Sequence, residues 1–598
     1  MPEGRRFFLK EQPDLFRAVH PKRVLRCFGE VFNESAFETA AANSTLQTQS
    51  SGLLDVSTDV HEASHQVSHY AGNDAHEEAD QLYYSCQQVD RAGAFLSHVW
   101  AAARWLKVLA LYYYMNIESA VVASVGAWVA AICVMVIRNG PTGMGAQPGL
   151  LMVFLGLPML VFLLVLCGGH LIRVPVQTMW LDKLSIHQTR KDLQSKGVSA
   201  IPEFVAKSDR MIVLWSDTYF ERLWCNAEVA TFAAINGASR LDMLPLWLAP
   251  WIFVTMALNI VSIMISSKLF VWIPQAEVYI KSTGIVEKPS LLTFSSLFVG
   301  VGCAFTVAYV PLIIPTLYAT RTKFKLHLNM MAQCKEFTFE HAKCRFESDR
   351  EVVADLIKYL WKDYAHPIGA FDEFVNEKLS NHVIDSIGSA TRIPYRCCLL
   401  LFLPLLFSSA SNVFGCDGMP CEMAAEIELG TGVQPAQQML TNAAAWAVGF
   451  FGVYPTVYPV LLYLMNVARS NFEFDPFARI VTELCAIIVS YTYMGFHEGF
   501  AAGVINAASS ELVNGSTRDI CLWMGALVVY LVLLIFWNLH LFKRSSTDHL
   551  FEAGDFIRIP TGYTGSKIPL LAQFAALVDY QPSHHTSHRT EGDANLLS

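Results

Sequence analysis

Apolar residues fall into two kinds of run along this chain. Long runs of about 20 residues, the length at which a helix crosses a bilayer core, lie near 119–137, 150–169, 248–267, 291–319, 397–415, 438–465, 479–502 and 520–541. These eight stretches predict a polytopic α-helical membrane domain. Short, mainly apolar runs of three to six residues, which suit buried strands, lie between and before them. They occur at Phe95–Ser97, Met179–Leu181, Met211–Trp215 and Met243–Leu248, and amphipathic helical stretches separate them. Buried strands alternating with helices predict a parallel sheet covered by helices.

The segments between the long runs set the expected orientation. Residues 1–118, 170–247 and 320–396 contain many Lys and Arg, whereas Gly415–Gln437 contains none. Lys and Arg near span ends favour the cytosolic side. The short strands therefore share the cytosol, and Lys543 and Arg544 after the last span place the C-terminus there too. Two features agree with this orientation. Cys416 and Cys421 fall on the oxidising side, where they can pair. Asn514-Gly515-Ser516 there is a glycosylation acceptor pattern, although Asn33-Glu34-Ser35 and Asn43-Ser44-Thr45 match on the cytosolic side.

The expected order is an N-terminal cytosolic segment (1–33), a disordered Ser/Thr/His/Glu-rich linker (34–80) and a first α/β segment (91–117). A membrane hairpin (119–169), the main α/β segment (174–247) and a second hairpin (248–319) follow. A third cytosolic segment (320–396), a four-span bundle (397–541) and a cytosolic tail (542–598) complete the chain. Each hairpin returns the chain to the side it left. The three segments can therefore form one domain, with Lys335–Arg345 as a further strand and Val352, Val353, Leu356, Ile357, Leu360 and Trp361 as one helical face. A separate helical domain at 320–396 is the alternative.

The short runs have a family resemblance. Phe95-Leu96-Ser97-His98-Val99-Trp100, then Trp180-Leu181-Asp182-Lys183, then the stretch Ala206–Phe232 occur in that order. Within the last, Ser208 precedes an apolar strand, and Ser216, Tyr219 and Trp224-Cys225-x-x-Glu228 follow it. This set resembles a Toll/interleukin-1 receptor (TIR) domain over about 30 contiguous residues, and more loosely over about a quarter of the chain. The resemblance implies a flavodoxin-like α/β fold, homotypic TIR–TIR association and signalling. The chain departs from the family pattern in two ways: two spans interrupt the domain after its first strand and helix, and the last strand and helix are missing before the third span.

In members of that family that hydrolyse NAD, the glutamate of this motif is catalytic, which points to Glu228. Breaking the nicotinamide–ribose bond builds positive charge on the ribose, and a carboxylate stabilises it as it develops. Nicotinamide leaves as a neutral group, so no second acid is required. Trp224, one helical turn before Glu228, can wall the pocket. Ser97 and His98 stand at a strand's carboxyl end, where open parallel sheets bind ligands. NAD is the implied substrate, and no tightly bound cofactor is implied. The alternatives are a non-enzymatic scaffold and a transporter or channel regulated by the cytosolic domain.

Composition narrows the remaining candidates. The chain is 53% hydrophobic and 16% charged, against about a quarter charged in soluble proteins, so the lipid bilayer is a partner. The formal charge of −9 comes with no basic arm, and nucleic acid is not an expected partner. Cys334, His341 and Cys344 have metal-like spacing without an evident fourth ligand. Asp182-Lys183 reads as a loop ion pair, and Cys397 and Cys398 as an acylation site at a membrane edge. Glu483, His497 and Glu498 lie in or beside the seventh span, where ionisable residues are functional candidates. An interfacial position for His497 and Glu498 is the alternative. Pro455 and Pro459 predict a kink in the sixth span.

Overall fold

A computed structural model describes residues 12–32, 80–139, 150–172, 176–270, 272–273, 279, 282–283, 288–344, 347–362, 364–413, 435–472, 474–514 and 516–542. Cys416, Cys421, the linker histidines, Asn33, Asn43 and the tail from Lys543 lie outside them. Four parallel strands form the sheet expected from the short runs: β1 (Ala94–His98), β2 (Met179–Trp180), β3 (Met211–Trp215) and β4 (Leu241–Pro245). Their order is β2-β1-β3-β4, the opening of the doubly wound 2-1-3-4-5 arrangement. β4 starts two residues before the expected run, and Leu248 already opens the next helix.

Alternation along each strand divides the core between two faces. Leu96, Ile212, Leu214 and Leu244 face one way and pack with Val108, Leu111, Tyr112 and Met115 of α1 (Arg104–Asn139). Phe95, Met211, Val213, Trp215 and Met243 face the other. They pack towards Phe204 and Val205 of α4 (Ile201–Ala206), which follows α3 (Lys191–Ser199), and towards Val229 and Ala230 of α5 (Leu223–Asn236). The N-terminal segment belongs to this module as well. Val19 bridges Met179 at the edge of β2, and Phe16 stacks on Phe204 at 5.1 Å.

α1 does two jobs. Its first half covers the sheet, while further on Val122, Val129, Val134 and Ile137 are exposed apolar side chains. Arg104 and Ser119 are about 22 Å apart along the helix axis. The end of β1 therefore stands well away from the apolar half of α1.

Seven described helical stretches are long and apolar enough to cross a membrane: Arg104–Arg138, Met152–Leu171, Leu248–Leu269, Pro289–Lys335, Gln437–Asn471, Pro476–Val513 and Thr517–Phe542. By this measure the chain is an integral, multi-pass membrane protein. In the second stretch a π-helical turn, Met152–Gly156, leads into α2 (Leu157–Gly168). The third stretch is α6 (Leu248–Leu269); the fourth comprises α7 (Pro289–Tyr309) and α8 (Ile313–Lys335). The run expected at 397–415 is two shorter helices, α12 (Tyr395–Leu401) and α13 (Leu403–Val413). Pro404 explains the break: it has no N–H to donate, and its ring clashes with the preceding turn. Ahead of Pro455, α14 (Pro435–Val448) passes through a π-helical turn, Gly449–Val453, into α15 (Tyr454–Asn471). α16 (Pro476–Asn514) and α17 (Thr517–Phe542) close the described chain. Gly495, Gly499 and Gly503 lie one turn apart on α16, and a Cβ at each would collide with α7 at Gly302, Phe298 and Phe294. Such small residues allow two membrane helices to approach closely.

The strand expected at Lys335–Arg345 does not form. Lys335 ends α8, and Phe339–His341 is a single 3-10 turn. Phe337, Phe339 and Ala342 are buried all the same. The third segment joins the module through α9 (Glu347–Leu360), followed by α10 (Pro367–Glu373) and α11 (Ser380–Ile387). Leu223 N donates to Lys343 O (2.9 Å), and the Lys343 ammonium meets Glu221 Oε2 at 2.8 Å.

Candidate functional site

The carboxyl ends of β1, β2 and β3 bring together side chains far apart in sequence. Ser97 is the penultimate residue of β1, and its Oγ donates to Glu228 Oε2 of α5 at 2.5 Å. The same Oγ lies 2.5 Å from the Tyr219 hydroxyl, which the turn after β3 supplies. Ser97 and Tyr219 are buried, while Glu228 keeps some contact with solvent although protein atoms crowd its carboxyl. Burial raises the Glu228 carboxyl to about 8; the Ser97 hydrogen bond pulls it down and the Asp182 charge pushes it up. Burial likewise holds the Tyr219 phenol well above its ordinary value.

A second group adjoins the first. His98 Nε2 is 3.3 Å from Asp182 Oδ1, just past the end of β2. Neither ring nitrogen of His98 makes a hydrogen bond of good geometry, and Phe32 packs edge-on against the ring at 5.4 Å. Asp182 also accepts from Trp100 Nε1 and from the Lys183 backbone N–H. Burial pushes its carboxyl up. The adjoining His98 ring and the hydrogen bonds from Trp100 and Lys183 outweigh this and leave it below the ordinary aspartate value. The Lys183 ammonium lies 4.7 Å from the Trp100 ring centre. Asp182 and Lys183 both meet the β1 side of the sheet edge, Asp182 at His98 and Trp100 and Lys183 at the Trp100 ring.

Among the sequence-derived residues, Ser97 and Glu228 meet directly, and His98 stands next to Ser97 facing Asp182. Trp224 Nε1 donates to Asp349 Oδ2 of α9 at 3.0 Å, tying α5 to the third segment. Tyr219 and Asp182 join the site through contacts to Ser97 and His98 that no local sequence pattern signals, beyond Tyr219's place in the family pattern. Cys225 is buried, and burial keeps its thiol well above the ordinary range, as expected of a packed thiol rather than a nucleophile.

Other candidates resolve differently. Cys334 is buried, His341 Nδ1 pairs with Thr338 Oγ1 at 2.6 Å, and Cys344 Sγ meets Glu347. No group of three metal-ligating side chains occurs among the described residues. Cys397 and Cys398, read as an acylation site, are both buried. Glu483 is fully buried and pairs with Arg321, whose Nε donates to Oε2 at 2.5 Å.

Comparison with protein-family models, curated proteins and solved structures finds no match.

Proposed function

We propose that this chain is a membrane-anchored signalling protein whose cytosolic TIR-like module self-associates and hydrolyses NAD at the nicotinamide–ribose bond. One observation carries the reading: Ser97 and Glu228, 131 residues apart, share a hydrogen bond at the carboxyl edge of the sheet. Ligands of doubly wound sheets bind at this edge, beside the point where the strand order reverses. In β2-β1-β3-β4 that point lies between β1 and β3, the strands that lead to Ser97 and Tyr219.

The chemistry follows from the groups present. Ionised Glu228 accepts hydrogen bonds from the ribose hydroxyls and stabilises the positive charge that develops at the anomeric carbon. The carbon–nitrogen bond breaks, and its electron pair leaves with nicotinamide, which departs neutral. Water adds at the same carbon and releases a proton, giving ADP-ribose. In the free protein Ser97 occupies one carboxylate oxygen of Glu228, so substrate hydroxyls replace that donor on binding.

The test is NAD consumption by the purified full chain clustered on beads, wild type beside Glu228→Gln. Turnover that vanishes in the variant supports the reading. Absence of turnover in a folded, clustered wild type overturns it in favour of a non-enzymatic scaffold.

A further inference from the structure

The membrane bundle holds a carboxyl group that the module's chemistry does not use. Glu498 lies near the middle of the apolar stretch Pro476–Val513 and is 3% exposed. Its Oε2 makes no hydrogen bond of good geometry, and no ion pair to it occurs among the described residues, whereas Arg321 pairs with Glu483 fifteen residues earlier on the same helix. The backbone opposite Glu498 is shaped around it. Gly449 begins the π-helical turn Gly449–Val453, and a Cβ at 449 would overlap the Glu498 carboxyl. Single π-turns inside α-helices recur at functional sites, and here the turn brings a glycine against a buried acid.

An ionised carboxylate in this setting, with phenols and no cation facing it among the described residues, is unfavourable by several kcal/mol, so the site favours binding a positive charge. The facing groups decide which one. Tyr454 of α15 adjoins the carboxyl and is itself fully buried. Tyr530 of α17 faces it too, with its hydroxyl donating to His497 O at 3.1 Å and lying 3.2 Å from His497 Nδ1. His497 is the titratable neighbour on α16 itself. These groups offer phenols and one imidazole beside a single carboxylate. A calcium ion takes six to eight oxygens, whereas a proton needs one.

Beyond Glu498 on α16, a hydrogen-bonded polar cluster lies toward one end of the bundle. Gln437 donates to Ser509 Oγ (2.7 Å), Gln438 to Asn506 Oδ1 (2.7 Å) and to Asn442 Oδ1 (3.1 Å), and Thr441 to Asn506 Oδ1 (3.3 Å). Asn506 lies about 12 Å from Glu498 along α16. Ala502, one turn after Glu498, and Ala445, one turn before Gly449, stand in that interval.

We propose that Glu498 is a proton-binding site inside the membrane bundle, exchanging its proton through the Asn506–Ser509 end of α16. Proton uptake converts the carboxylate to the carboxylic acid and consumes one proton from water at that end.

The test is infrared spectroscopy of the full chain reconstituted in lipid vesicles, in H₂O and after transfer to D₂O. The expected result is a protonated-carboxyl stretch that is absent in Glu498→Gln, retained at a shifted frequency in Glu498→Asp, and displaced promptly by deuterium. Asn506→Leu, which leaves the carboxyl intact, should slow that displacement severalfold. A spectrum with no band assignable to residue 498 in either the glutamate or the aspartate protein overturns the proposal. So does a band that ignores D₂O for hours, because it marks a sealed structural acid.

Discussion

Replacing Glu228 by Gln should change stability in a way that depends on pH. In the folded chain this carboxyl titrates near 8; in the unfolded chain it titrates near 4.5. The folded value is the higher one. Below pH 4.5 both states are protonated and nothing is lost. Between 4.5 and 8 the folded state binds more protons than the unfolded one, so stability falls as pH rises, and it levels off above 8. At about 1.36 kcal/mol per tenfold change in proton affinity, the loss from pH 5 to pH 9 has a ceiling of about 4 kcal/mol. Glu228 retains solvent access, and screening reduces the expected loss to about 1–2 kcal/mol. Glutamine keeps the shape and does not titrate. The thermal midpoint of Glu228→Gln relative to wild type should therefore rise between pH 5 and pH 9, by about 2–4 °C for each kcal/mol. The assay is tryptophan fluorescence of detergent-purified protein at one scan rate, with exposed Glu351→Gln as the baseline. A variant-minus-wild-type difference that stays flat with pH, or falls, would show that the Glu228 carboxyl is ionised and well solvated in the folded protein.

Two further substitutions probe the same physics elsewhere. Ser97→Ala removes the hydrogen bond that lowers the Glu228 carboxyl. If NAD is cleaved, the rising limb of kcat/KM against pH, expected near 8 in wild type, should move to higher pH; an unmoved limb separates Ser97 from Glu228. Arg321→Leu strands the fully buried Glu483 and should destabilise the bundle by about 3–5 kcal/mol, while Arg321→Leu with Glu483→Leu should recover most of that loss. Thermal unfolding of both variants in detergent decides this, and a double variant no better than the single one refutes it.

What could be read from the sequence depended on the range of the interaction responsible. A strand buried on both faces shows as a short, unbroken apolar run, and β1 and β3 were visible for that reason. A membrane span shows by length alone, which served for seven stretches. It did not reveal the break within 397–415, where Pro404 divides an otherwise continuous run into two helices. The reading of Lys335–Arg345 as a strand failed because Phe337 and Phe339 alternate with polar residues as strand residues do. They are buried instead in an irregular segment that follows the long helix α8. Glu228 and Ser97 could be picked out by a local pattern, but Asp182 could not: its partners His98 and Trp100 come from a strand end more than 80 residues earlier.

The double role of α1 bears on how the two halves of the molecule could communicate. Ser97 and His98 end the strand that leads into α1, and the same helix continues, without a described break, into an apolar stretch long enough to span a membrane. At its other end the site touches α8: Gln333, in the last turn of that helix, donates to the carbonyl of Asp217, two residues before Tyr219. A shift of α8 against α1 would therefore displace Tyr219 relative to Ser97, the pair whose contact positions Glu228. The Ser97–Tyr219–Glu228 contacts thus lie between α1 and α8, two helices that both belong to stretches long and apolar enough to span a membrane.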